Sequence, residues 1–207
     1  QAQLPFWNAR ERMQAALAEP FRGDESQATE PLDVLLRDAV ALRMVADVKV
    51  GVFLSGGTDS SVVASMMQAQ SSTPVHSFSI GFSGSDHDEA PLAKELADHL
   101  GTDHTELYVQ ASDALAVVPH LPAMFDEPFA DASQIPTALV AKLARGGVTV
   151  ALSGDGGDEL FFGYKRYQRA LRNWQMLGRV PAPLRRMLAA AAQGQGEASR
   201  MGGVAAL

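Results

Sequence analysis

Two short stretches of this chain combine glycines, hydroxyls and carboxylates at a spacing that suits a polyanionic ligand. The first is Ser55-Gly56-Gly57-Thr58-Asp59-Ser60-Ser61. Two consecutive glycines let backbone N–H groups turn toward a ligand with no Cβ in the way. The hydroxyls of Ser55, Thr58, Ser60 and Ser61 add donors, and a helix starting there presents its positive end to an anion. Phosphate is the natural guest. No Gly-Lys-Ser/Thr follows the glycines, so γ-phosphoryl transfer of the P-loop kind is not indicated. A carboxylate beside a phosphate repels it unless a cation lies between, and Asp59 is therefore expected to be a magnesium ligand. The competing reading is an ordinary turn in which Asp59 serves only the start of the helix.

The second stretch, Ser153-Gly154-Asp155-Gly156-Gly157-Asp158-Glu159, holds three glycines and three carboxylates within seven residues. That composition makes a poor strand and a poor helix, and predicts a tight loop held by its neighbours or by an ion. If both stretches lie at the same edge of one sheet, Asp59 and Asp158 can share one Mg²⁺. A calcium loop or a solvated acidic turn competes, although the spacing does not match the twelve-residue EF-hand loop.

The flanking segments say what must position these stretches. Residues 48–54 (VKVGVFL) and 148–152 (VTVAL) are short β-branched runs leading directly into them. Residues 75–82 (VHSFSIGF) and 104–109 read as further strands. Between them lie helical patterns: one after Ser61 carrying Val62, Val63, Met66 and Met67, with the methionines in the core; one over 88–100, capped by Asp88, with Pro91 in its first turn and Gly101 at its end; and one over 133–145. Ahead of the first strand, Thr29 is expected to cap a helix with Pro31 in its first turn. Residues 20–30 read as a polar connector, anchored by Trp7 beside Phe6. Strands alternating with helices predict an α/β fold, a parallel sheet with helices on both faces. Ligands of such sheets sit at the carboxyl ends of the strands, where both stretches fall.

Bulk composition narrows the function. The chain has 207 residues, 46% hydrophobic and 20% charged, enough for one globular core. A net charge of −7 argues against a nucleic-acid surface. There is no apolar run of about 18 residues and no export segment, so no membrane partner is expected. The absence of cysteine removes disulfides, thiol nucleophiles and cysteine-held metals, and is compatible with a cytoplasmic location. His76, His87, His99, His104 and His120 show no metal-ligand spacing and are expected in core or surface roles.

Together the two stretches resemble a known family. VFLSGGTDSS is similar to the SGGxDS pyrophosphate loop of the ATP pyrophosphatases. In combination with FSIGF, DEA, LGTDHTEL, DEPFADASQIPT and VTVALSGDGGDELFFGY, it resembles the synthetase domain of bacterial glutamine-hydrolysing asparagine synthetases over residues 6–167. The resemblance implies an adenine-nucleotide-hydrolase-like (HUP-type) sheet and a two-step ligation. ATP and aspartate give β-aspartyl-AMP and pyrophosphate, and ammonia then displaces AMP. It further implies that Leu54 and Ile80 flank the adenine, that Ser55, Gly56, Gly57, Asp59 and Ser60 surround the pyrophosphate, and that Ser153 and Gly154 contact the nucleotide. Asp59 and Asp158 would hold Mg²⁺, and Asp155, where better-known members carry Glu, would orient aminolysis. Two departures stand out: Phe162 replaces the first glycine of the usual FGGY, and Asp131 stands where some glutamine-dependent members have a basic residue.

The chain reads as a piece of a longer protein: a connector over 1–28, the ATP pyrophosphatase domain over 29–188 and a low-pattern tail over 189–207. The family draws ammonia from a glutaminase domain with a terminal cysteine nucleophile, which this chain lacks, and uses a phosphate-supporting lysine farther downstream. Lys165, Arg166 and Arg169 could face phosphates, although a solvated helix face is the commoner role for such a cluster. The isolated chain is accordingly expected to bind ATP weakly and turn over poorly, and self-association is left open. Two other readings compete. One is an adenylating enzyme of the same fold with a different carboxylate substrate, as in β-lactam synthetases. The other is a non-catalytic ATP-binding module, against which stand the three carboxylates Asp59, Asp155 and Asp158.

Overall fold

A computed structural model describes residues 5–82, 88–128, 131–181 and 183–185; His87 and the tail over 189–207 lie outside these. The chain divides into two units, Gln1–Gly154 and Asp155–Leu207.

The first unit is built on four strands, β1 (Val50–Phe53), β2 (His76–Phe82), β3 (Asp103–Val109) and β4 (Val150–Leu152), all parallel in the order β3-β2-β1-β4. Helix α3 (Thr58–Gln70) follows β1, and α4 (Ala90–Leu100) follows β2. The short helices α5 (Ala111–Val117) and α6 (Leu121–Met124) and the longer α7 (Gln134–Ala144) lie between β3 and β4. Alternation along β1 sorts the core to the two faces of the sheet. Val52 and Leu54 pack with Ala64, Met66 and Met67 of α3, with Ala93 and Ala97 of α4, and with Val40 of α2 (Glu25–Met44). Phe53 turns the other way, toward Phe78, Ala144 and Val148. Helices on both faces of a parallel sheet are thus observed, and Met66 and Met67 are core residues at 9% and 1% exposure.

The α4 contact depends on small residues. Ala90, Ala93 and Ala97 are fully buried, opposite Ser77, Ser79 and Gly81 of β2. A Cβ on Gly81 would stand 2.9 Å from that of Ala90. The C-terminus of α4 is closed by Gly101 at φ +73, where only glycine is unstrained.

Three local expectations are corrected. Helix α2 starts at Glu25, not after Thr29. Asp24 caps it, accepting the Gln27 N–H at 2.9 Å while the Gln27 side chain returns to the Asp24 N–H. That reciprocal capping box outcompetes Thr29, whose hydroxyl instead donates to Glu25 O at 2.7 Å, so Pro31 lies inside the helix and not in its first turn. Second, α1 (Ala9–Ala18) forms in a region read as connector, and Phe6 and Trp7 are exposed, so Trp7 anchors nothing among the described residues. Third, Asp88 lies outside α4. Its carboxylate accepts from Phe82 N–H at 3.3 Å and Ala90 N–H at 3.2 Å, tying the end of β2 to the helix start.

In the second unit, α8 (Gly157–Phe161) and α9 (Lys165–Gly178) follow the acidic loop.

Candidate functional site

The strand order sets the end of β4, with Ser153 and Gly154, beside the glycine turn that follows β1. β1 feeds α3 and then β2 on one flank, whereas β4 returns to the opposite flank of β1, with Val52 paired to Leu152. The chain direction across the sheet reverses between β1 and β4, which makes this the switch point where open α/β sheets carry ligands. Two residues beyond the paired positions lie Leu54 and Gly154.

The first stretch folds as the turn from β1 into α3. Gly56 has φ +75, the left-handed region that its missing side chain permits, and Leu92 of α4 packs against it: a Cβ there would be 3.0 Å from Leu92 Cγ. Gly57 caps α3 without a side-chain hydrogen bond, so the amides of Thr58, Asp59 and Ser60 have no intrahelical acceptor. Inside the turn, Ser60 Oγ accepts the Ser55 N–H at 3.2 Å, lies 2.9 Å from Ser55 Oγ and donates to Gly57 O at 3.2 Å. Gly57 N–H donates to Ser55 Oγ at 3.3 Å. Ser61 Oγ donates to Gly57 O at 2.6 Å. The Asp59 carboxylate is half-buried in the first turn of α3 and has no hydrogen-bond or ion-pair partner among the described residues.

Gly154, the last residue of the first unit, packs against the first stretch. A Cβ on it would meet Ser60 N at 2.6 Å, the Asp59 carbonyl carbon at 2.8 Å and Asp59 Cβ at 3.0 Å. Backbone atoms cannot swing aside, so only glycine lets the β4 loop pack on the first turn of α3. Of the nucleotide residues implied by resemblance, the first unit therefore gathers Ser55, Gly56, Gly57, Asp59, Ser60 and Gly154. Ser153 adjoins Gly154 and is exposed. Leu54 is 2% exposed, so its side chain belongs to the core. Continuing the β1–β2 pairing by two residues beyond Phe53↔Phe78 sets Ile80 level with Ser55.

Asp155 and Asp158 belong to the second unit. Gly156 at φ +90 opens α8, and Phe162 closes it at φ +59, so the aromatic ring occupies a backbone conformation that suits the glycine it replaces. Asp158 folds its carboxylate against Gly163, where a Cβ would overlap it. Tyr164 Oη donates to Glu159 Oε1 at 2.8 Å, and that bond to a carboxylate holds the phenol above its ordinary pKa. Arg166 lies 4.2 Å from the Tyr164 ring centroid. Among the described residues no three His, Cys, Asp or Glu side chains cluster closely enough to hold a metal ion. For magnesium, the fit in the first unit is Asp59, a carboxylate uncommitted to protein groups.

Asp131 has a local task. Its carboxylate accepts the Ser133 N–H at 2.8 Å ahead of α7, which holds its pKa below the ordinary value. Sequence reasoning missed Leu92, whose place over Gly56 depends on α4 folding back. It also missed a groove of about 580 Å³ between α2 and α3, lined by Arg37, Gly56, Thr58, Ser61 and Ser65. No local signal announces either.

The family model described as asparagine synthase matches residues 32–205. The chain is 43% identical over 150 residues to the putative asparagine synthetase (glutamine-hydrolyzing) 2 of Methanocaldococcus jannaschii, covering 72% of this chain and 29% of that protein. It is 37% identical over 169 residues to asparagine synthetase (glutamine-hydrolyzing) 1 of Bacillus subtilis, covering 82% of this chain and 26% of that protein. Among solved structures, the NMN synthetase from Francisella tularensis superimposes with a TM-score of 0.44 at 19% identity, over 69% of this chain and 59% of that one. The chain spans between about a quarter and a third of the length of the curated relatives it matches.

Proposed function

The chain belongs to the asparagine synthase family, and from that premise we propose that it carries the ATP site of a carbon–nitrogen ligase that adenylates aspartate. The observation that supports this most directly is the packing of Gly154 on Ser60 and Asp59, which joins two glycine loops at the sheet's switch point. The turn after β1 offers the open amides of the α3 first turn to the pyrophosphate, with Ser55, Gly56, Gly57, Asp59 and Ser60 around it. Ser153 and Gly154 meet the nucleotide from the β4 side, and Ile80 with the main chain of Leu54 borders the adenine.

In the first step a side-chain carboxylate oxygen of aspartate attacks the α-phosphorus. The new O–P bond forms as the bond to the β-phosphate oxygen breaks, and pyrophosphate leaves. In the second, ammonia attacks the acyl carbon, AMP departs and a proton is lost to give asparagine. Charge develops on the leaving pyrophosphate, so fixed N–H donors in the loop lower the barrier, an effect often worth several kcal/mol. Asp59, with Asp158, is the residue pair proposed to hold Mg²⁺, which would neutralise part of that charge when bound. Asp155 is proposed to orient the aminolysis. Ammonia would come from a glutaminase domain.

The test is ATP–pyrophosphate exchange on the full-length protein, with aspartate compared against other carboxylic acids. Aspartate-dependent exchange that disappears in Asp59→Ala is expected. Exchange driven only by another acid would replace the substrate, and no exchange with any acid would overturn adenylation.

A further inference from the structure

The serine hydroxyls of the first loop look at first like phosphate donors, yet they are already hydrogen-bonded within the turn. Ser60 Oγ carries one hydrogen and two lone pairs. It is 7% exposed. Its one hydrogen goes to Gly57 O at 3.2 Å or to Ser55 Oγ at 2.9 Å, both inside the turn, and it accepts the Ser55 N–H at 3.2 Å. Ser55 Oγ pairs with Ser60 Oγ, either oxygen being able to donate, and accepts the Gly57 N–H at 3.3 Å. Phosphate oxygens accept hydrogen bonds and cannot donate them, so Ser60, whose one hydrogen stays inside the turn in either arrangement, has no proton left for one. Ser61 likewise gives its hydrogen to Gly57 O at 2.6 Å.

From this set of bonds we infer that Ser60 is a positioning residue: its hydroxyl locks Ser55 and Gly57 so that main-chain amides, not the Ser60 hydroxyl, face the nucleotide phosphates. Resting on the adenylation reading for what the loop holds, the inference deepens that reading by changing the role of one residue. A hydroxyl that fastens three points of a five-residue turn keeps the turn in its binding shape before any ligand arrives, so binding need not supply the ordering.

Amide hydrogen exchange of the protein without nucleotide separates the roles. Ser60→Ala should speed exchange at the Ser55 and Gly57 amides by about three- to tenfold, the size of one or two net hydrogen bonds. ATP binding should weaken by a similar factor. Ser55→Ala, which breaks the same pair from its exposed end, should reproduce the Gly57 effect and add little in the double variant. Thr58→Val, at a hydroxyl with no hydrogen bond among the described residues, should leave those amides unchanged. If Ser60→Ala weakens ATP binding while exchange at Ser55 and Gly57 stays at the wild-type rate, Ser60 is a direct phosphate ligand and the inference fails. Unchanged exchange and unchanged binding would also overturn it. These amides are followed without ATP, so the outcome is separate from failure of pyrophosphate exchange, which would strike the adenylation reading instead.

Discussion

Gly154 lies so close to Ser60 that a Cβ on the glycine would stand 2.6 Å from the serine's backbone nitrogen. The two residues are separated by most of the first unit in sequence and meet because β4 inserts beside β1. This approach seats the end of β4 on the first turn of α3.

Gly154→Ala tests that approach. The added methyl would press on Ser60 N and the Asp59 carbonyl carbon, both main-chain atoms, so the loop must move. A destabilisation of about 1–3 kcal/mol is expected from overpacking, with at least about a tenfold loss of ATP affinity, since a 1 Å displacement of positioning groups costs that or more. Urea unfolding and nucleotide titration check the two parts. Wild-type values for both would show that the loops are not in contact in solution.

His104 predicts a pH dependence. Its ring lies between Ser77 Oγ at 2.8 Å and Ser79 Oγ at 3.1 Å, and Ser77 Oγ also pairs with Thr102 Oγ1 at 2.8 Å. Burial pushes the pKa below the ordinary 6.5, with Glu106 and Asp98 opposing and Lys94 assisting. The neutral ring is thus favoured in the folded state. Above about pH 6.5 both states are neutral and the residue adds no pH dependence. As pH falls below that value the unfolded chain takes the proton first, so stability declines until the folded-state pKa is passed. NMR titration should place His104 below 6.5, and His104→Gln should flatten the fall of the urea midpoint as pH drops below 6.5. A His104 titration at or above 6.5 would contradict the prediction.

Phe162 should reverse a familiar order. At φ +59 the residue is strained, while its ring lies 5.3 Å from that of Tyr167. Both Phe162→Gly and Phe162→Ala lose the ring contact, but only glycine relieves the left-handed backbone. The glycine variant is expected to be the more stable by about 1 kcal/mol. Denaturant midpoints decide it; an alanine variant equal to or above glycine would show that residue 162 leaves the left-handed region.

Much of this protein was legible in the residues alone. β-branched runs ending in glycine marked β1 and β4, because short apolar segments must be buried and the glycines stop them. Alternation with helices identified the parallel sheet, and the residue types in Ser55–Ser61 and Ser153–Glu159 pointed to a phosphate-bearing ligand. The start of α2 was misread: Thr29 was expected to cap it, whereas Asp24 does so through a reciprocal bond that needs Gln27 to turn back. The strand order β3-β2-β1-β4, the seating of Gly154 on Ser60, the place of Leu92 over Gly56 and the use of Ser60's hydroxyl inside the turn were decided only by the tertiary structure. Each is a contact between segments whose separation along the chain carries no information about distance, or a bond whose partner is main chain that every residue possesses. Sequence names the groups that could meet a phosphate; packing determines which of them still have a proton to give.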